Sequence, residues 1–142
     1  MLYLYNTTKA LVMSTTKILY ADDDSDDRFL LNESIVSSGL HADLVYVANG
    51  QEFISYIEQA PEALPDLVIL DLNMPKMNGR ETLNYLKRHP RYRTIPVIIL
   101  STSRNKQEMD ACAAQGAVSY FIKPNHLDGY ASIITACQSF VN

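Results

Sequence analysis

Asp66-Leu67-Val68-Ile69-Leu70-Asp71-Leu72-Asn73-Met74-Pro75 is the stretch on which the fold turns. Leu67 to Leu70 are apolar without alternation, so both faces of that strand are covered, as in a parallel sheet with helices on either side. Pro65 precedes the run, and Asp71 ends it with a polar, turn-forming sequence. Similar short apolar runs lie on both sides. Lys17-Ile18-Leu19-Tyr20-Ala21 reads as a buried strand that stops at Asp22-Asp23-Asp24. Asp43 to Val47, Val97 to Leu100 (opened by Pro96) and Val118 to Ile122 read as the others.

Helical segments fill the gaps. Ser25 or Asp26 caps a helix that runs to about Gly39, with Phe29, Leu30, Glu33 and Ile35 in its pattern. Gln51 to Gln59 carries Phe53, Ile54 and Ile57 on one side. Gly79 to Arg88 ends at His89-Pro90, and Asn105 to Gln115 ends at Gly116. A last helix starts at Asn125 or His126 and runs nearly to Asn142. Strands that alternate with helices pair in parallel, because each helix is a crossover, and crossovers are right-handed. The fold expected is α/β: a doubly wound five-stranded parallel sheet of order 2-1-3-4-5, flavodoxin-like and three-layered. Residues 1–16 read as an N-terminal extension and 17–142 as the domain; Met13 is an alternative start.

A length of 142 residues suits one domain with a real core. The net charge of −4 leaves no basic footprint for nucleic acid. Cys112 and Cys137 have no metal or redox spacing and read as buried thiols of a cytoplasmic protein. No apolar run approaches the roughly 20 residues of a membrane span.

In such a sheet the ligand crevice lies outside the carboxyl ends of strands 1 and 3. Asp22, Asp23 and Asp24 follow strand 1, and Asp71 follows strand 3. Ser101 and Thr102 follow strand 4, and Lys123 follows strand 5. Converging carboxylates repel one another, and a hard divalent ion relieves them. Mg²⁺ takes oxygen ligands and keeps several waters, so Asp22, Asp23 and Asp71 are expected to hold it, with a backbone carbonyl near Asn73. A carboxylate can attack phosphorus and form an aspartyl-phosphate. Asp71 is the nucleophile so placed; Lys123 and Ser101 would meet the phosphoryl oxygens. Taken singly, each residue has a plainer reading: capping aspartates, a turn aspartate, a loop hydroxyl, a solvated lysine.

Residues from about Lys17 to Phe140 resemble a response-regulator receiver domain. The motifs are Ile18-Leu19-Tyr20-Ala21-Asp22-Asp23-Asp24, Asp66 to Gly79, Ile95-Pro96-Val97-Ile98-Ile99-Leu100-Ser101, and Gly116 to Pro124. The Asp-Asp-Asp-Ser-Asp-Asp-Arg stretch is similar to that of stand-alone, phytochrome-associated regulators. The resemblance implies that Asp71 is the phosphoacceptor, that Asp22 and Asp23 hold Mg²⁺ with the Asn73 carbonyl, and that Lys123 contacts phosphate. It implies Ser101 as a switch hydroxyl, Tyr120 as a switch aromatic, and a cis Lys123-Pro124 bond. From the bare residues Tyr120 is equally an ordinary core aromatic. Ser101 stands where threonine is commoner, and Ser25 where proline often is.

The family implies a partner sensor histidine kinase or phosphotransfer protein and an unknown downstream protein. It also implies homodimers through the face of the fourth helix, fifth strand and fifth helix. No turnover enzyme is expected, only Mg²⁺-dependent self-phosphorylation and slow autodephosphorylation. One alternative is a receiver-like binding module that ignores phosphate. Another, a haloacid-dehalogenase-type phosphatase built on Asp22-x-Asp24, lacks the Thr or Val expected where Asp26 stands.

Overall fold

The structure, a computed structural model, describes residues 16–140. Residues 1–15, and with them nearly all of the expected extension and the Met13 question, lie outside the described residues, as do the last two. Five strands form one parallel sheet: β1 (Thr16–Ala21), β2 (Ala42–Val47), β3 (Leu67–Leu70), β4 (Val97–Ser101) and β5 (Ser119–Ile122). Their order is β2-β1-β3-β4-β5, as the sequence predicts. The α-helices are α1 (Ser25–Ser38), α2 (Gly50–Gln59), α3 (Gly79–Arg88), α4 (Lys106–Ala114) and α5 (Ala131–Gln138).

Strand β3 sets the layering. All four of its residues are buried. Val68 and Leu70 pack with Phe53, Ile57, Leu83, Leu86 and Cys112, the inward residues of α2, α3 and α4. Leu67 and Ile69 pack with Leu31, Ile35, Ile133, Ile134 and Cys137 of α1 and α5. Two hydrophobic cores therefore sandwich one sheet, the three-layer arrangement. Both cysteines are free and buried.

Four local expectations are corrected. Asp24, not Ser25 or Asp26, caps α1, its side chain accepting from the Asp26 and Asp27 N–H groups. Phe29 is 61% exposed, and the buried face of α1 is Leu31, Ser34 and Ile35. Ser34 occupies a core position because its hydroxyl donates to the Leu30 carbonyl at 2.8 Å, satisfying its polarity within the helix. Thr16 pairs with Ala42, so the sheet begins inside the segment read as extension. The last helix does not start at Asn125 or His126. A 3₁₀ turn over Leu127–Tyr130 precedes it, and Gly129 lies so close to Pro124 that a Cβ there would sit 2.5 Å from the proline Cβ.

The Lys123-Pro124 bond is trans, since no cis peptide occurs among the described residues, against the cis bond implied by the resemblance. Trans is the intrinsically favoured isomer. With it the Lys123 ammonium reaches Asp22, Asp27 and Asp71.

Candidate functional site

Register brings the chemistry together. Ala21 lies beside Leu70, Leu70 beside Ile99, and Ser101 beside Ile122. The next residues of β1, β3 and β5 are Asp22, Asp71 and Lys123, and all leave the sheet at its carboxyl edge. Backbone bonds extend the ladder by one step: Asp71 N–H to the Ala21 carbonyl at 2.9 Å, Asp22 N–H to the Val47 carbonyl at 3.0 Å, and Lys123 N–H to the Ser101 carbonyl at 2.8 Å. These bonds fix the backbone from which each functional side chain projects.

Asp22, Asp71 and Ser101 are all buried. The Lys123 ammonium lies 2.9 Å from Asp22 Oδ2, 3.1 Å from Asp71 Oδ2 and 2.8 Å from Asp27 Oδ2. Asp22 accepts two more hydrogen bonds, from the Tyr20 hydroxyl at 2.6 Å and from the Asp24 N–H at 2.9 Å. Burial and the Asp22 charge hold the Tyr20 phenol well above its ordinary pKa, so it acts as a permanent donor. Asp71 Oδ1 accepts from the Asn73 N–H at 3.2 Å.

Burial pushes the Asp71 carboxyl up to about 6; Lys123 pulls it down, and Asp22 raises it further. For Lys123 burial works against the charge, but hydrogen bonds to Asp27 and Asp22 and the charges of Asp22 and Asp71 outweigh it. The ammonium is held above the ordinary lysine range. The cluster is therefore short of positive charge: four carboxylates, with Asp23 counted, face one ammonium.

The residues present fit a divalent cation. Asp22, Asp23 and Asp71 each offer an oxygen, all within 4.8 Å of one another. Two of these residues are buried and the third, Asp23, is exposed. That suits a hard ion held by carboxylates on one side and water on the other. Gly79 lets the start of α3 lie against the backbone that carries Asp71. A Cβ there would collide with the Asp71 carbonyl oxygen and would sit 2.8 Å from Leu72 Cα. In the loop between them Lys76 is held at φ 65°, in the left-handed region that non-glycine residues rarely occupy.

Ser101 and Tyr120 converge on one loop. Ser101 Oγ accepts from the Ser103 N–H at 3.2 Å, and the Tyr120 hydroxyl donates to the Ser103 carbonyl at 2.7 Å. Tyr120 is half-buried and packs against the core formed with α2, α3 and α4.

Three contributors escaped the sequence. Tyr20 reads only as a strand residue, although its place two positions before Asp22 puts both on one face of an extended chain. Asp27 reads as one more aspartate at a helix start. Tyr130 reads as core; it is fully buried, and its hydroxyl has no hydrogen-bond partner among the described residues. Burial and the Asp27 charge push its pKa up to about 12.

Residues 18–135 match the response regulator receiver domain family. The response regulator Rcp1 of Synechocystis sp. is 30% identical over 127 residues, 87% of this chain and 86% of Rcp1. The crystal structure of the phosphorylated cyanobacterial phytochrome response regulator RcpA superposes with a TM-score of 0.80 at 32% identity, covering 89% of this chain and 93% of that one. The Mn²⁺-bound form of Rcp1 superposes with a TM-score of 0.78 at 29% identity, covering 88% and 93%. A CheY homolog of Campylobacter jejuni is 28% identical over 108 residues, 76% of this chain and 81% of the relative. Among the described residues no helix is long and apolar enough to cross a membrane. The chain belongs to the response regulator receiver domain family.

Proposed function

We propose that Asp71 accepts a phosphoryl group from a phosphohistidine on a sensor kinase or phosphotransfer protein in the cytoplasm. The observation that carries this reading is the buried Asp71 carboxylate, 3.1 Å from the Lys123 ammonium and within 4.8 Å of the oxygens of Asp22 and Asp23. A carboxylate so placed is nucleophilic toward phosphorus while its neighbours stand ready to meet phosphoryl charge. In the proposed transfer, an Asp71 oxygen bonds to phosphorus as the phosphorus–nitrogen bond breaks. The electron pair returns to the donor imidazole, which takes a proton from water.

Asp22, Asp23, Asp71 and the Asn73 backbone carbonyl would hold Mg²⁺. When bound, it supplies positive charge to the phosphoryl oxygens. Lys123 donates to the same oxygens. Ser101 Oγ accepts one hydrogen bond in this structure, which leaves its own O–H free to donate to the phosphoryl group. Ser101 is tied to Ser103, and Ser103 to Tyr120, so a movement of Ser101 toward phosphate pulls on the Tyr120 hydroxyl. The face of α4, β5 and α5 is repacked, and a downstream protein or a second copy of the chain reads it. Slow attack of water on the aspartyl-phosphate resets the switch.

Beryllofluoride with Mg²⁺ tests the reading, because it occupies a carboxylate as a phosphoryl mimic. At a concentration a hundred times the Kd, binding adds about 2.7 kcal/mol of stability. The melting temperature of the wild type should rise by several degrees, and that of Asp71→Asn should not. A wild type that ignores the mimic would overturn the proposal and favour a receiver fold that binds partners without phosphate.

A further inference from the structure

Lys123 has three carboxylate partners, and only two of them belong to the cation cluster. Asp22 and Asp71 belong to it; Asp27 stands outside, in the first turn of α1. The Asp27 contact, at 2.8 Å, is the shortest of the three. The ammonium and a divalent ion therefore compete for the same two carboxylates. The Lys123 side chain is only 7% exposed, so an ammonium that lost all its acceptors would have little water to replace them. Asp27 is the acceptor that remains.

Among the described residues no other side chain donates to the Asp27 carboxylate. The cap of α1 is Asp24, whose Oδ1 accepts from the Asp26 N–H at 2.8 Å and the Asp27 N–H at 3.2 Å. The neighbouring Arg28 guanidinium turns to the Asp22 carbonyl at 3.5 Å. Among the described residues the cation paired with Asp27 is Lys123. The partners are 96 residues apart in the chain, so the contact ties the start of α1 to the end of β5.

We propose that Asp27 is a positioning residue for the switch site. It anchors Lys123 on the α1 side, so that the ammonium yields Asp22 and Asp71 to the cation and keeps two N–H donors for the phosphoryl oxygens. The inference rests on the cation-dependent reading of Asp71. Without Asp27 the ammonium falls back on Asp22 and Asp71 and competes harder against the ion. A merely structural Asp27 would change folding stability and leave cation affinity alone. An Asp27 that attracted the ion through its own charge would lower affinity whether or not Lys123 were present.

Calorimetric titration with MgCl₂ and MnCl₂ separates these cases, using wild type, Asp27→Asn, Lys123→Met and the double variant. Asp27→Ser serves if the asparagine variant fails to fold. Asp27→Asn should weaken cation binding about tenfold, the weight of one hydrogen bond to a charged group. The same substitution beside Lys123→Met should change affinity less than about twofold. Equal losses in both backgrounds, or no loss in the wild-type background, would overturn the proposal while the cation site stood. A wild type that bound neither ion would remove the site itself.

Discussion

Asp71→Asn should stabilise the metal-free protein at neutral pH, although it deletes an ion pair. The carboxyl titrates at about 6, against 3.8 for an unperturbed aspartate, with burial as the first cause. Asparagine resembles the protonated form in shape and neutrality. At about 1.36 kcal/mol per pH unit, the ionised group costs the fold on the order of 3 kcal/mol. Because the folded-state value is raised, the folded protein holds the extra proton between the two values, and stability falls as pH rises through that window. The advantage of asparagine is thus absent below about pH 4, opens between 4 and 6, and is level above it. At pH 8 it corresponds to roughly 10 °C in melting temperature for a domain of this size. Lys123 keeps Asp22 and Asp27 as partners in the variant, so no buried charge is orphaned. Urea denaturation in excess chelator from pH 4 to 8 measures the difference directly. A variant equal to or less stable than wild type at pH 8 would show that the ion pair outweighs the burial of the charge.

Other consequences follow from the same contacts. Asp23 is exposed and contributes an oxygen to the cation cluster. Asp23→Ala should therefore abolish most of the melting-temperature rise with Mg²⁺ while changing stability in chelator by no more than about 0.5 kcal/mol. Tyr130→Phe removes a buried hydroxyl without a partner among the described residues. It should raise the urea midpoint by the equivalent of about 1 kcal/mol, and a loss of that size would reveal a partner for the hydroxyl. Gly79→Ala places a Cβ against the Asp71 and Leu72 backbone, which cannot yield as a side chain can. It should cost at least about 2 kcal/mol and blunt the response to beryllofluoride; a variant with wild-type values on both would show that the loop relaxes.

The sheet was legible because its strands are short apolar runs separated by helices, and β3 is apolar on both faces. Asp22, Asp71, Ser101 and Lys123 were legible for the same reason: each stands where a strand ends, and parallel topology sends those ends to one edge. What the sequence hid was contact across elements. Asp22, Asp23, Asp24, Asp26 and Asp27 look alike in the chain. One caps α1, two join the cation cluster and another reaches Lys123. Only their partners in the folded chain sort them. The buried face of α1 departs from its apolar pattern because a serine that bonds back to its own helix replaces an apolar residue in the core, leaving Phe29 outside.

The central claim is that one carboxylate at the sheet edge takes up a phosphoryl group. The most direct measurement is mass-spectrometric mapping after incubation with acetyl phosphate and Mg²⁺. The account predicts one added phosphoryl group on the peptide containing Asp71, lost in chelator and absent from Asp71→Asn. Equal labelling of that variant, or a phosphoryl group found on Asp22, would contradict it.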